Sequence, residues 1–248
     1  MADTKRKYYS QLVELLRKAD VAVEVVDSRF IKETRIEKLE GRFGNKMLIA
    51  ASKSDLIPKE RREPGYLYFS TRSREGIKEI LAKATEIGKK NPFKRTKEVK
   101  MVIFGIPNVG KSSLINALRK KYAAVTGFRA GLTHGPQWIR VSPDLMLCDT
   151  AGVVDLHENE ESMALKSALD VTELKRPEQI AAKLIAKAAA LPKNPITKYY
   201  GIEKAEDAED TLIQIAKKRG LLLKGGQANV AEAAMVLVRD YQKGKFII

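Results

Sequence analysis

Residues 105–113, GIPNVGKSS, carry glycine, lysine and hydroxyl side chains at the spacing G-x-x-x-x-G-K-[ST], after an apolar stretch and before a helix-like one. At such a turn the glycines let backbone N–H groups converge on phosphate oxygens, and the helix start adds positive charge. Lys111 would reach the β- and γ-phosphates, and the Ser112 hydroxyl would ligate Mg²⁺. The pattern predicts a nucleotide-binding segment, called the phosphate loop below, whose further predicted contacts are Asn108, Val109, Gly110 and Ser113.

A second polar segment, DTAG at 149–152, ends another apolar stretch 38 residues after Lys111. The carboxylate of Asp149 suits Mg²⁺, directly or through water, and the amide of Gly152 suits a contact to a γ-phosphate that is lost on hydrolysis. Thr133, in RAGLTHG, is placed to close over the metal, although an ordinary loop threonine is the alternative. The spacing predicts a metal site formed by Ser112, Thr133 and Asp149.

Two short segments earlier in the chain suit a guanine base. SKSD at 52–55, the base loop below, ends a strand-like stretch as N-K-x-D does in nucleotide-binding proteins. Asp55 would accept hydrogen bonds from guanine N1–H and its 2-amino group, and Lys53 would pack its stem over the nucleotide. STR at 70–72, the STR loop below, ends the next stretch and would contact guanine O6 through its backbone. The predicted contacts of these loops are Ser52, Lys53, Asp55, Ser70, Thr71 and Arg72.

Alternating strand-like and helix-like stretches connect these motifs. Strands are expected within ADVAVEVVDSR, KMLIAAS, YLYFS, VKMVIFG and PQWIRVSPDLMLCDTAG, the last containing two strands joined by a turn at 142–144. Helices are expected at 5–19, over IKETRIEKLEGRF, over EGIKEILAKATEIG and after the phosphate loop. This alternation is typical of a parallel α/β sheet.

Beyond residue 154 the strand pattern disappears. Residues 158–243 are helical in pattern, with breaks at prolines 177, 192 and 195 and at glycines 220, 225 and 226. We therefore predict an α/β domain over residues 1–155 and a small all-α domain over residues 156–248.

Composition excludes several classes of protein. The 248 residues are 44% hydrophobic and 31% charged, which is typical of a soluble folded chain. No apolar run approaches the roughly 18 residues that a membrane span needs, and the charged N-terminus lacks the apolar core of a signal peptide. Cys148, the single cysteine, excludes an intrachain disulfide and a cysteine-based metal cluster. A cytoplasmic location is expected.

The charge is concentrated in the first part of the chain. The formal net charge is +15; residues 1–155 hold 31 Lys and Arg against 18 Asp and Glu, and residues 156–248 hold 15 against 13. An excess of this size favours a polyanionic partner such as nucleic acid or the ribosome. A lysine-rich solvated surface, common in proteins from hot environments, is the alternative.

The order of the motifs resembles that of the circularly permuted P-loop GTPases, especially the YlqF/RbgA-like ribosome-assembly group with its archaeal relatives. SKSD, STR, GIPNVGKSS, GLT and DTAG occur in that permuted order, and the tail GGQANVAEAAMVLVRDYQKGK resembles the closing helix of that group. The resemblance implies a circularly permuted GTPase domain, with a mostly parallel six-stranded sheet and helices on both faces, followed by a small all-α domain. It implies GTP and GDP as ligands and ribosomal RNA or the large ribosomal subunit precursor as partner.

Some residues depart from the family pattern. Ser52 replaces the usual Asn, so we expect the loss of an amide that tethers both base and phosphate loop, and a selectivity for guanine that relies on Asp55. Val153 stands where Ras-like proteins carry a water-positioning Gln. The family usually offers a histidine near its N-terminus, and His134 could substitute for that histidine or be a solvated one. Asn108 resembles the position that ligates K⁺ in K⁺-activated relatives, so Lys111, Thr133 and Asn108 are the predicted catalytic residues.

These observations predict a Mg²⁺-dependent GTPase, slow unless stimulated by K⁺ or a ribosomal partner, that acts as an assembly switch on ribosomal RNA. Because DTAG leads directly into the helical tail, movement of this segment is expected to act on the second domain. Two alternatives remain: an RNA-binding adaptor that holds guanine nucleotide with negligible hydrolysis, and an ATPase with an unrelated N-terminal domain.

Overall fold

The structure is a computed structural model, and it describes residues 2–90, 97–126, 138–142, 144–149, 160–165 and 169–248. The chain divides into two compact units, Met1–Glu158 and Asn159–Ile248. The first contains a sheet with helices and the second is helical in its described residues. The exact domain boundary at 155/156 stays a prediction.

A six-stranded sheet forms the centre of the first unit. Its strands, in chain order, are β1 (Val21–Asp27), β2 (Met47–Ser52), β3 (Leu67–Tyr68), β4 (Val99–Phe104), β5 (Trp138–Ser142) and β6 (Leu145–Asp149). Their spatial order is β3-β2-β1-β4-β6-β5. β5 runs antiparallel to β6, and the other neighbouring pairs are parallel. The predicted mostly parallel six-stranded sheet is confirmed.

The core is built around β1 and β4. All seven residues of β1 are buried, as expected for a parallel strand covered on both faces. On one face, Leu12 and Leu16 of helix α1 (Ala2–Lys18) pack in a cluster with Val102 and Phe104 of β4. Fully burying each of these side chains contributes about 1.5–3 kcal/mol to the free energy of folding. This packing holds β4, the strand that leads into the phosphate loop, at the centre of the sheet.

The predicted continuous helix over IKETRIEKLEGRF is wrong. The structure has two one-turn helices instead, α2 (Ile31–Thr34) and α3 (Glu40–Phe43), with a 3-10 turn between them. Arg35 is extended, and the next backbone N–H, that of Ile36, donates to the buried carboxylate of Glu24 at 2.5 Å. Helix periodicity cannot reveal this break, because the competing acceptor lies on β1, 12 residues earlier in the sequence.

Two longer helices complete the first unit. They are α4 (Ile77–Lys89) and α5 (Lys111–Thr126), and each follows one of the predicted functional loops. α4 buries Ile80, Leu81 and Ala84, which have the predicted helical spacing. α5 begins at Lys111, directly after the phosphate loop, as predicted.

The second unit contains helices α6 (Glu160–Leu165), α7 (Pro177–Ala189), α8 (Pro195–Tyr200), α9 (Ala208–Arg219) and α10 (Val230–Gln242). Pro177 and Pro195 stand at the first position of a helix, where the missing N–H costs nothing. Helices α7 and α10 pack against each other, and their buried alanines are Ala181, Ala188, Ala233 and Ala234. The described helices include none with the length and apolarity needed to cross a membrane.

Candidate nucleotide-binding site

Four of the predicted loops follow the carboxyl ends of parallel strands, and therefore lie along one edge of the sheet. The STR loop follows β3, the base loop begins at the end of β2, the phosphate loop follows β4, and Asp149 ends β6. Asp149 pairs with Ile103, two residues before Gly105. Ligands of open α/β sheets bind in the crevice at this edge. The tertiary structure thus brings together motifs that are far apart in the sequence.

The phosphate loop passes very close to β1 and to the base loop. Gly105 has φ +147°, and a Cβ atom there would lie 2.3 Å from the carbonyl oxygen of Val25. Gly110 has φ +106°, and its Cβ would lie 3.4 Å from the Cβ of Ser52. Asn108 is exposed with φ +59°, a conformation that asparagine tolerates better than most residues. Gly105 is therefore needed both for its backbone conformation and for the close approach to β1, and Gly110 for its backbone conformation.

Lys111 folds back over this loop. Its ammonium donates a hydrogen bond to the carbonyl oxygen of Ile106 at 2.8 Å, and the residue is only 7% exposed. Ser112 and Ser113 are exposed in the first turn of α5. The loop therefore combines a lysine charge, exposed hydroxyls and the N-terminus of a 16-residue helix, which together favour a bound anion.

Ser52 links the base loop to the phosphate loop. Its buried hydroxyl donates to the carbonyl oxygen of Val109. The expectation that replacing Asn by Ser removes the tether to the phosphate loop is therefore wrong. A hydroxyl is long enough here because the two loops are close: a Cβ atom added at Gly110 would already lie 3.4 Å from the Cβ of Ser52. The effect on contacts with the base stays a prediction.

Lys53 pairs with Asp27, which sequence reasoning did not single out as functional. The Lys53 ammonium lies 2.7 Å from Oδ2 of Asp27, and Arg29 donates to the same carboxylate through Nε at 3.0 Å and Nη2 at 2.7 Å. Burial raises the pKa of the Asp27 carboxyl, but Arg29 and Lys53 outweigh it, so this pKa lies below its usual value. Burial lowers the pKa of Lys53, against the opposing effect of Asp27.

Asp55 and the STR loop present groups to solvent at the same edge. Asp55 is exposed in the 3-10 turn Ser54–Leu56, and Thr71 and Arg72 are also exposed. Ser70 is buried, and its hydroxyl oxygen accepts hydrogen bonds from the backbone N–H groups of Arg72 at 3.1 Å and of Ser73 at 3.2 Å. These bonds fix a turn whose exposed backbone can contact a base.

A further ion pair, which sequence reasoning also missed, links the base loop to Glu75, just after the STR loop in the chain. Arg62 Nη1 lies 2.7 Å from Oε1 of Glu75, and Nη2 donates to the carbonyl oxygen of Ser54 at 3.1 Å. The Ser54 N–H donates to the carbonyl oxygen of Phe69 at 3.1 Å. No sequence motif contains Arg62 or Glu75, so the pairing was visible only in three dimensions.

The remaining predicted residues cannot be placed. Thr133, His134, Gly152 and Val153 lie outside the described residues, and Asp149 is described by its backbone only. In the described part of the chain, no three His, Cys, Asp or Glu side chains gather closely enough to hold a metal ion. The metal site formed by Ser112, Thr133 and Asp149 stays a prediction.

Comparison with known proteins identifies relatives of this chain. Residues 100–220 match a family described as 50S ribosome-binding GTPase. An uncharacterized GTP-binding protein of Methanocaldococcus jannaschii is 34% identical over 242 residues, covering 94% of this chain and 64% of the relative. Ribosome biogenesis GTPase A of Bacillus licheniformis is 29% identical, covering 95% of this chain and 91% of the relative. The chain is thus similar, over nearly its whole length, to the YlqF/RbgA-like GTPases.

The fold of this chain is also similar to that of a YlqF protein. A crystal structure of GNP-bound YlqF from T. maritima superposes with a TM-score of 0.65 at 23% identity, covering 96% of this chain and 94% of that one. The family match starts at residue 100, within β4, so the base and STR loops precede it, as the permuted order requires. The chain spans less than two thirds of the M. jannaschii relative and about half of several others.

Proposed function

We propose that this chain binds and hydrolyses GTP in a Mg²⁺-dependent reaction, and that it binds ribosomal RNA or the large ribosomal subunit to assist ribosome assembly. The contact between the Ser52 hydroxyl and the Val109 carbonyl carries the proposal. It joins a base loop to a phosphate loop in three dimensions, although 57 residues separate them in the chain. A single nucleotide can therefore contact both loops.

Guanine is the base that this edge fits best. A carboxylate at Asp55 pairs with two adjacent donors, which guanine offers and adenine does not. Asp55 is exposed, so it can face a ligand at the mouth of the site. An adenine there would leave the carboxylate without its two donors. A site with an unpaired polar group binds the wrong ligand much more weakly than the right one.

The residues at the phosphate loop also fit Mg²⁺. Ser112 has an exposed hydroxyl at the start of α5, and Asp149 ends the strand beside β4. Hydroxyl and carboxylate oxygens are the donors that this ion prefers. When bound, the metal would neutralise charge on the β- and γ-phosphates. Thr133 and Gly152 complete the proposed set, with Asn108 as the proposed K⁺ ligand.

The ribosomal partner rests on the relatives and on charge. The matched family is described as a ribosome-binding GTPase, and the B. licheniformis relative is described as a ribosome biogenesis GTPase. The basic excess of residues 1–155 suits a polyanion, since each phosphate that is neutralised releases counterions. A cytoplasmic location follows from the bacterial relatives as part of the same proposal.

An adaptor that holds guanine nucleotide without hydrolysing it is the second candidate. Val153 favours it, because valine cannot orient an attacking water as the Gln of Ras-like proteins does. The two candidates share the nucleotide site and differ in turnover, which a multiple-turnover assay measures directly.

Base preference tests the nucleotide site. Displacement of fluorescent GDP should require at least about tenfold more ADP than GDP. Adenine lacks the two adjacent donors that guanine offers to the carboxylate of Asp55. Asp55→Asn should shift the preference toward xanthosine nucleotides. Asp210→Asn, at an exposed aspartate in the second unit, is the matched control and should leave it unchanged. Equal displacement by ADP and GDP would contradict the proposal that the site recognises guanine.

Ribosome binding needs a separate test. Purified large ribosomal subunits should co-sediment with the protein, and the bound fraction should differ between GDP and a non-hydrolysable GTP analogue. Raising the salt concentration should weaken binding if phosphate contacts dominate. Absence of sedimentation with any nucleotide would contradict the ribosomal part of the proposal.

A further inference from the structure

Asp27 is the last residue of β1, and together with the next two residues, Ser28 and Arg29, it forms what we call the β1 turn. Asp27 accepts from the Lys53 ammonium at 2.7 Å. The Ser28 hydroxyl donates to the Lys53 carbonyl oxygen at 3.0 Å, and the Ser28 N–H donates to the Ser52 carbonyl oxygen at 3.0 Å. Arg29 holds the Asp27 carboxylate through two side-chain hydrogen bonds. The β1 turn thus contacts both the backbone and the side chain of the base loop.

The charges of this network are buried. The side chain of Asp27 is 0% exposed, that of Arg29 is 2% exposed and that of Lys53 is 25% exposed. Desolvation consumes much of the attraction in a buried ion pair, so such pairs add little stability over well-packed apolar residues. Stability alone therefore does not explain why three charged groups lie here. Buried ion pairs can also fix the position of the segments that carry them.

Lys53 has a backbone conformation that needs support. Its φ of +55° and ψ of +35° lie in the left-handed region, which is unfavourable for a residue other than glycine. Ser28 supports this conformation. Its hydroxyl donates to the carbonyl oxygen of Lys53, and its N–H donates to the carbonyl oxygen of Ser52. The conformation sets the direction in which the chain continues to Asp55.

We infer that the β1 turn is the positioning element of the guanine-recognition loop: Ser28 fixes the backbone at Lys53, and Asp27, held by Arg29, fixes the Lys53 ammonium. The inference rests on the proposed function and extends it to residues outside the nucleotide-binding motifs. It explains how the loop keeps its orientation with Ser52 in place of Asn. The Ser52 hydroxyl secures the phosphate-loop side, and the β1 turn secures the side that leads to Asp55.

A double-mutant cycle tests this. Asp27→Asn, Lys53→Met and the double variant are compared by displacement of fluorescent GDP with GDP and with ADP, alongside thermal unfolding. Asp27→Asn should lower the GDP-over-ADP ratio by about tenfold, the scale on which one lost polar contact discriminates. The double variant should be no less selective than Lys53→Met alone, because Asp27 acts through Lys53.

Asp20→Asn is the matched control. Asp20 is a buried carboxylate at the opposite end of β1, and its Oδ2 accepts from the Lys100 N–H at 2.8 Å, a bond that asparagine can keep. Asp20→Asn should therefore leave the selectivity ratio unchanged. If Asp27→Asn behaves like Asp20→Asn, or if the double variant loses selectivity additively, the inference is overturned.

Ser28→Ala covers the case in which Asp27→Asn does not fold. It removes the hydroxyl bond to Lys53 without exposing a charge, and should lower the GDP-over-ADP ratio severalfold while thermal unfolding stays cooperative. An unchanged ratio would overturn the inference. A wild-type protein that shows no preference for GDP would instead contradict the proposed function, so the two failures are distinguishable.

Discussion

At the scale of single residues, the position of Lys111 decides what the phosphate loop can hold. Its ammonium lies 2.8 Å from the Ile106 carbonyl oxygen, so the charge is directed into the loop. An ammonium has three donors, and the bond to Ile106 is compatible with contacts to phosphate oxygens. The nearly buried position means that the charge is little screened by solvent.

Lys111→Ala should abolish tight GTP binding without unfolding the protein. The change removes charge-assisted hydrogen bonds to phosphate worth about 2–4 kcal/mol. The only apolar atoms that it removes are those of the lysine stem, so the core packing is largely kept. Equilibrium binding of a fluorescent GTP analogue measures the effect, with circular dichroism to verify folding. Lys120→Ala, at an exposed lysine on the same helix, is the control. Unaltered affinity in a folded Lys111→Ala protein would refute the site.

At the scale of elements, the approach of the phosphate loop to β1 depends on the absence of a side chain. The carbonyl oxygen of Val25 occupies the space that a Cβ at Gly105 would need. The Val25 carbonyl group belongs to a strand held in the sheet, and a Cβ at Gly105 would be fixed by the loop backbone, so neither can move without disturbing the fold. The same sheet edge holds the β1 turn and the base loop, which makes the site a product of three neighbouring strands.

Gly105→Ala should therefore destabilise the first unit by about 2–4 kcal/mol, through backbone strain and a steric clash. Urea unfolding followed by fluorescence or circular dichroism measures this change in the free energy of unfolding. Gly41→Ala is the control, because a Cβ there meets nothing within 4 Å and alanine favours the surrounding helix. The explanation fails if both variants unfold at the same urea concentration.

At the scale of the whole molecule, the chain combines a basic α/β unit with a helical unit of nearly balanced charge. The second unit is internally well anchored. The Gln242 side chain at the end of α10 donates to the carbonyl oxygens of Ala164 at 3.2 Å and of Leu169 at 2.9 Å. These bonds anchor the first residues of the helical unit to its last helix.

Turnover tests the proposal for the molecule as a whole. Isolated GTP hydrolysis should be slow, on the order of minutes or longer per event, because Val153 cannot orient water. The rate should rise severalfold in KCl over NaCl at equal ionic strength, and Asn108→Ala should erase the difference. Added large ribosomal subunits should raise the rate further. Equal rates in K⁺ and Na⁺ with no response to subunits would favour the adaptor.

The sequence by itself determined the order of the motifs, the alternation of strands and helices, and the nucleotide chemistry. These are local properties: a phosphate loop needs its glycines, lysine and serine within nine residues, and buried strands reveal themselves by short apolar runs. The family pattern then showed that the order was permuted, and the parallel sheet confirmed the fold.

Only the tertiary structure decided which side chains support the site. Asp27 contacts Lys53, 26 residues away, and Ser52 contacts Val109, 57 residues away. Glu24 likewise interrupts the helix expected after β1. Such contacts depend on strand order and register, because parallel neighbours bring the ends of distant segments together. Periodicity and motif spacing describe one segment at a time, so they contain no information about these pairings.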